Sequence, residues 1–258
     1  VSLKRLDVTL GFVAEMGEET LAKYVDQLTA HYQGLEKVDH LAAKDVKVGD
    51  LLKEDDKHLP KYPELVRAIT NYHFDLLTLP EGQSWEEDCD VPQIGMLQSA
   101  LIPAYRNLEV LVDLIGREDA FDLHMRFVTH YSILRRGDIE EMYQSVDEMI
   151  EDRTQDQETP SEWVIHDGVI DKGKYAYQND NCLWIDALEQ LPDSEIKYHV
   201  CCYGDYQGAK GWNKSFILTM EHTIAEGDPY CSRVVHDTRV NWKLHHPPKE
   251  FWDEFVGG

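Results

Sequence analysis

The chain holds 258 residues, with 49 Asp+Glu against 25 Lys+Arg and a formal net charge of −24. Hydrophobic residues make up 42% and aromatics 10%, enough burial to offset the entropy of ordering, so a disordered chain is excluded. The charge excludes nucleic acid and anionic membrane as partners, since phosphate needs a basic surface, and no apolar run nears the ~18 residues of a membrane span.

The opening Val1-Ser2-Leu3-Lys4-Arg5 leads into an amphipathic segment rather than the apolar core of a signal peptide. The five cysteines are irregularly spaced and read as reduced thiols, so a cytoplasmic setting is expected. Leu21, Tyr24, Val25, Leu28 and Tyr32 recur at helical spacing, with Gly34 as a stop. Residues 44–56 are charged and read as a loop or a short surface helix. Pro63 opens a second amphipathic helix through Leu65, Ile69, Tyr72 and Leu76, closed by Pro80 and Gly82. Residues 81–95, with Trp85 and Cys89, read as a loop. The apolar stretch from Ile94 to Gly116 predicts a helix that Pro103 kinks or begins. Arg117 starts another helix, Gly137-Asp138 interrupts it, and Ile139, Met142, Val146 and Ile150 predict one more. Residues 140–158 carry eight acids and one arginine, the pattern of a solvated face running into a charged linker.

Past Pro160 the composition changes. Trp163 to Asp167 reads as a short strand, Cys182 to Leu191 as a short helix, and Lys197 to Tyr203 as a strand. The runs Phe216–Ile224 and Tyr230–Val240 flank Ala225-Glu226-Gly227-Asp228-Pro229, a hairpin signal. The fold class expected is α+β: a helical N-terminal half, then a mostly antiparallel β-sheet with one or two packed helices. A single domain is expected over residues 1–258, with 1–155 mainly helical and 160–258 mainly β and carrying the candidate site.

Nucleotide-binding, nucleophile-elbow and zinc-protease motifs are absent, as is any CxxC pair. Residues 160–240 hold four of the five cysteines and four of the twelve histidines. Cys182 falls in the first turn of its helix behind Asp180 and Asn181, where free N–H groups and the helix dipole lower a thiol pKa. The bland alternative is a small buried residue packing with Trp184 and Leu188. On a strand, Cys201 and Cys202 point to opposite faces, and Asp205 follows at the strand end. The hairpin carries Glu221, His222, Cys231, Arg233, His236 and Asp237. A four-residue loop would align His222 with Arg233 and put Cys231 on that face; a five-residue loop would put His222 and His236 together instead. His166, His222 and His236 show no ligand spacing, so no metal is expected. His245-His246-Pro247-Pro248 reads as a surface turn before a terminal aromatic segment, Phe251, Trp252 and Phe255, that docks on the core.

Cys182-Leu183-Trp184, Ala187-Leu188 and Cys202-Tyr203-Gly204-Asp205, followed by Phe216 to Thr219, His222 to Asp228 and Cys231, together resemble the L-2-amino-thiazoline-4-carboxylic acid hydrolase family. The likeness spans about 60 residues between Cys182 and Asp237. It departs at Leu183, where the family commonly has proline, and at Ser232-Arg233, where it more often has an acid and an aromatic. The resemblance implies a cofactor-independent hydrolase that opens a small carboxylated heterocycle of the cyclic amidine type, in a diverged member serving secondary metabolism. It implies Cys182 as nucleophile, His222 or His236 as proton carrier, Asp205 as its orienting group and Cys231 beside them. Arg233 would bind the substrate carboxylate, with Trp184, Tyr203 and Glu221 completing the binding site.

Two other readings stand beside it. On the same scaffold an acid–base isomerase or cyclase would use the histidines, Glu221 and Asp205 and leave the cysteines to packing. A non-catalytic small-molecule-binding module would line its pocket with apolar groups alone. The expected partner is a small molecule, and exposed members of the six tryptophans and thirteen tyrosines would mark a homodimer surface.

Overall fold

A computed structural model describes residues 3–77, 91–136, 141–155 and 164–255. The features expected at Pro80, Gly82, Trp85, Cys89, Gly137-Asp138 and Trp163 lie outside them. The chain divides into two compact units, Val1–Phe127 with Ala187–Gln190, and Val128–Asp186 with Leu191–Gly258. The class is α+β, with helices first and an antiparallel sheet after them. Among the described residues no helix is long and apolar enough to cross a membrane.

The first unit is built from α1 (Leu3–Ala14), α2 (Glu18–Leu35), the short α3 (His40–Ala43), α4 (Pro63–Leu76), α5 (Gln93–Ile115) and the start of α6 (Arg117–Arg136). The periodic residues bury as their spacing demands: Leu21, Tyr24, Val25, Leu28 and Tyr32 on α2, and Leu65, Val66 and Ile69 on α4. Residues 44–56 contain a short 3₁₀ turn, Val48–Leu51. Buried Asp7 accepts the backbone N–H groups of Lys57, His58 and Leu59, which pins this region to α1. Burial opposes its charge, but those three donors hold its pKa below the usual carboxylate value. Pro103 lies inside α5, where its ring lacks an N–H and leaves the Ser99 carbonyl without a helical partner. His73 Nδ1 donates to that carbonyl at 3.1 Å, and Tyr32 Oη reaches both the Pro103 carbonyl at 3.0 Å and Asn107 Oδ1 at 2.6 Å.

The second unit holds α7 (Val146–Gln155), β1 (Ile165–Asp171), β2 (Lys174–Asn179), α8 (Leu183–Asp186), α9 (Ser194–Cys201), α10 (Tyr203–Trp212), β3 (Phe216–Met220), β4 (Cys231–Asp237) and α11 (Lys249–Glu254). The sheet is four-stranded and antiparallel, in the order β1-β2-β4-β3. One face buries Tyr175, Phe216, Leu218 and Val235 under Val146 and Met149 of α7 and Ala209 of α10. The other buries Ala176 and Val234 against Trp252 of α11, so the terminal aromatic segment docks as expected.

Three local expectations need correction. The segment read as a strand, residues 197–203, is helical: Asp193 accepts the N–H groups of Glu195 and Ile196 and starts α9, so a cap outweighs the β-like composition. The helix from Cys182 is only the four residues of α8. The hairpin strands are shorter than their β-rich runs. Thr223 caps a 3₁₀ turn at Ile224–Glu226, Asp228 accepts the Thr223 N–H, and the chain leaves the ladder at Met220.

Candidate active site

The pairing of β2 with β4 sets the site. Tyr177 lies opposite Arg233 and Asn179 opposite Cys231, so all four side chains share the face that carries the α7 and α10 core. Beyond that core the face opens on a cavity of about 290 Å³. The sheet contributes Ile165, Tyr177, Asn179, Cys231 and Arg233. The overlying segments contribute Cys182, Trp184, Cys201, Cys202, Asp205 and Trp212. Five of the expected site residues therefore converge: Cys182, Trp184, Asp205, Cys231 and Arg233.

Arg233 organises the charge. Its Nε and Nη2 donate to Asp205 Oδ2 at 3.0 and 2.8 Å, its Nη1 donates to Asn179 Oδ1 at 2.9 Å, and its guanidinium lies 5.6 Å from the Tyr177 ring centre. Burial works against the guanidinium charge, but Asp205, Tyr177 and Cys231 together more than offset it and the pKa is raised. Asp205 keeps 36% of its side-chain surface. Even so, loss of hydration raises its carboxyl pKa against the pull of Arg233. Asp205 stands in the first turn of α10, not at a strand end.

The thiols differ from expectation. Cys182 sits immediately before α8, and its pKa is raised rather than lowered. Burial dominates; the N–H groups of Ile185 and Trp184 and the charge of Arg233 favour the thiolate but do not prevail, because a four-residue helix supplies little dipole. Burial also drives the Cys202 thiol far up. Cys231 Sγ accepts the Ile224 N–H at 3.3 Å, which ties the hairpin loop to the pocket wall. Because α9 is a helix, Cys201 and Cys202 both line the cavity instead of facing opposite ways.

The remaining expected residues lie elsewhere. Met220 pairs with Arg233, and His236 pairs with Ile217, so the register brings His222 and His236 together on neither face. His236 is fully buried on the α11 side, where a chain of contacts runs from His236 Nε2 to Thr219 Oγ1, on to His246 Nδ1, and from His246 Nε2 to Ser232 Oγ. His246 is thus buried and not in a surface turn. The chain is satisfied with both rings neutral in either direction, from His236 through Thr219 and His246 to Ser232 or the reverse, and burial lowers each pKa to about 4. His222 is half-buried, 3.6 Å from Asp228 and edge-on to Tyr230. Tyr203 stacks on His199, and Glu221 is exposed in the loop after β3. None of these four lines the cavity.

The cavity is also lined by Ile165, Tyr177, Asn179 and Trp212, which sequence reasoning passed over, and by Cys201 and Cys202, which it weighed but left out of the expected site. The signal for Tyr177 and Asn179 was their alternation on β2, readable only with the β2–β4 register. Among the described residues, no three His, Cys, Asp or Glu side chains are grouped to hold a metal ion.

In comparison with known proteins, the family model described as L-2-amino-thiazoline-4-carboxylic acid hydrolase matches residues 96–234, a span that includes every residue lining the cavity. No curated protein and no solved structure matches the chain.

Proposed function

Because the chain belongs to the L-2-amino-thiazoline-4-carboxylic acid hydrolase family, we propose that its second unit opens a small carboxylated heterocycle of the cyclic amidine type by addition of water, without a cofactor. The observation that carries this reading is the convergence of Cys182, Cys231, Asp205 and Arg233 on one cavity of about 290 Å³. Arg233 makes three contacts with protein, and a guanidinium has five N–H donors, so donors remain for a substrate carboxylate. Tyr177, Trp184 and Trp212 supply flat walls for a planar ring.

In this mechanism Cys182 Sγ bonds to the amidine carbon as its proton passes to Asp205. The bond from that carbon to a ring heteroatom breaks, and the leaving heteroatom takes the proton. Water then hydrolyses the carbon–sulfur bond and restores the thiol. Asp205 takes the proton-carrying role that the resemblance assigned to a histidine, since it is the carboxyl on the cavity wall. Tyr203 and Glu221 drop out of substrate contact. A diverged substrate serving secondary metabolism belongs to the same proposal.

Two substitutions test the nucleophile. Cys182→Ala and Cys182→Ser are each expected to slow turnover of L-2-amino-thiazoline-4-carboxylate by roughly a hundredfold or more. Wild-type rates in both would exclude a cysteine nucleophile and favour acid–base chemistry by Asp205. Alkylation of the thiols gives the independent check, with substrate expected to protect activity.

A further inference from the structure

We infer that the substrate carries an apolar group at its amidine end, opposite the carboxylate, and that this group lies between Ile165 and Trp184 at the mouth of the cavity. The inference rests on the reading of this cavity as the active site and narrows the class of cyclic amidine acid that it takes. The cavity runs from a polar base to an apolar opening. Arg233, Asn179 and Cys231 are buried on the sheet, and Cys182 and Cys202 are buried on the segments over it. Tyr177, Trp212 and Asp205 are intermediate in exposure, and Asp205 is paired with Arg233. Ile165, at the start of β1, and Trp184, on α8, keep 41% and 42% of their surface, more than any other residue lining the cavity. They therefore stand where the cavity meets solvent.

The strand registers fix this polarity. Ile165 lies opposite Asn179 and Asn179 opposite Cys231, so the three form one row across β1, β2 and β4, from the exposed edge of the sheet to its buried interior. On the other wall Trp184 follows Cys182 by two residues. Asp205 and Asn179 leave Arg233 with N–H donors to spare, and these take the ligand carboxylate at the base. In a 2-amino-thiazoline-4-carboxylate the carboxyl and amino groups leave the five-membered ring in diverging directions, so the amino nitrogen faces away from Arg233. On the measure by which one water needs roughly 10–15 Å³, the cavity of about 290 Å³ holds roughly twenty to thirty water-sized groups. Even half of that space exceeds the roughly nine non-hydrogen atoms of L-2-amino-thiazoline-4-carboxylate, which would leave both mouth residues in water. An apolar group of about seven carbons on the amino nitrogen fills the opening and covers the apolar surface of Ile165 and Trp184.

The experiment measures binding by calorimetry on the full chain, with thiazoles as ligands because their aromatic ring resists addition at the amidine carbon. The three probes are 2-aminothiazole-4-carboxylate, 2-(benzylamino)thiazole-4-carboxylate and 2-(benzylamino)thiazole. The benzyl acid is expected to bind at least about tenfold more tightly than the unsubstituted acid, and at least about tenfold more tightly than the benzyl compound without a carboxylate. Trp184→Ala and Ile165→Thr, the latter keeping a β-branched residue on the strand, should each lower the ratio between the two acids severalfold. If circular dichroism shows that Trp184→Ala does not fold, Ile165→Thr decides. Equal affinity for the two acids, a ratio that neither variant changes, tighter binding of the carboxylate-free compound, or no binding of any probe would each overturn the inference. Turnover of L-2-amino-thiazoline-4-carboxylate reports on the hydrolytic reading separately: binding in the expected order without turnover would support the pocket's preference and sink the reaction.

Discussion

Arg233 and the pair His236 and His246 show how opposite faces of one strand acquire different chemistry. Every residue of β4 is buried, so each side chain must find its partners within protein. Arg233 does so through Asp205 and Asn179, and stays charged beside the cavity. His236 does so through Thr219, with Lys174 and His245 as the charges that disfavour its protonation; His246 feels His222, His236 and His245. Both rings titrate near 4 in the folded protein, below the ordinary value of about 6.5. Between those values the unfolded chain binds more protons than the folded one. The stability these rings contribute is therefore complete above about pH 6.5 and is lost as pH falls through about 4. The free energy of unfolding in urea should drop across that window, and the drop should shrink in the double variant His236→Gln, His246→Gln, whose remaining slope comes from carboxylates. Identical slopes would mean that the histidines are not the titrating groups.

At the level of elements, the β1–β2 turn is the most constrained connection. Gly173 adopts φ +71°, a left-handed conformation, and a Cβ there would stand 2.8 Å from Val240 Cβ. Its carbonyl accepts the Asp237 N–H at 2.8 Å, which links the turn to the end of β4. Gly173→Ala combines the left-handed penalty with a close approach, and should destabilise the protein by at least about 1–2 kcal/mol in chemical denaturation. A change below about 0.5 kcal/mol would show that Val240, half-exposed at 46%, moves aside. The α9 segment teaches a related point about legibility. Tyr198, Val200 and the two cysteines look β-like, but the information that decides the element is Asp193, one residue ahead of the helix. Helices α2, α4 and α5 were legible because their periodic apolar residues are also their buried ones.

For the whole molecule, the net charge of −24 sets the response to salt. Surface pairs such as Lys4–Asp55 and Arg67–Asp39 contribute little and weaken on screening, whereas repulsion among the excess acids is relieved by it. The acids outnumber the bases nearly two to one, so relief should win. Raising ionic strength from about 0.01 to about 0.5 M shortens the screening length severalfold, and a gain near 1 kcal/mol would raise Tm by roughly 2–4 °C. A flat or falling Tm in scanning calorimetry would show that the acids are already compensated by local pairs.

The sequence alone determined the α+β class, the order of helices before strands, the existence of the hairpin and the family likeness around Cys182, Cys202 and Cys231. These rest on patterns read within one or two helical turns or one short loop, where spacing and composition act locally. Only the tertiary structure decided which residues meet. Arg233 reaches Asn179 across 54 positions and Asp205 across 28, and a one-residue slip in the β2–β4 or β3–β4 register would exchange the cavity face for the His236 face. The thiol pKa values turned on the same long-range facts. A helix start favours the Cys182 thiolate locally, but the protein packed around it removes water and has the larger effect.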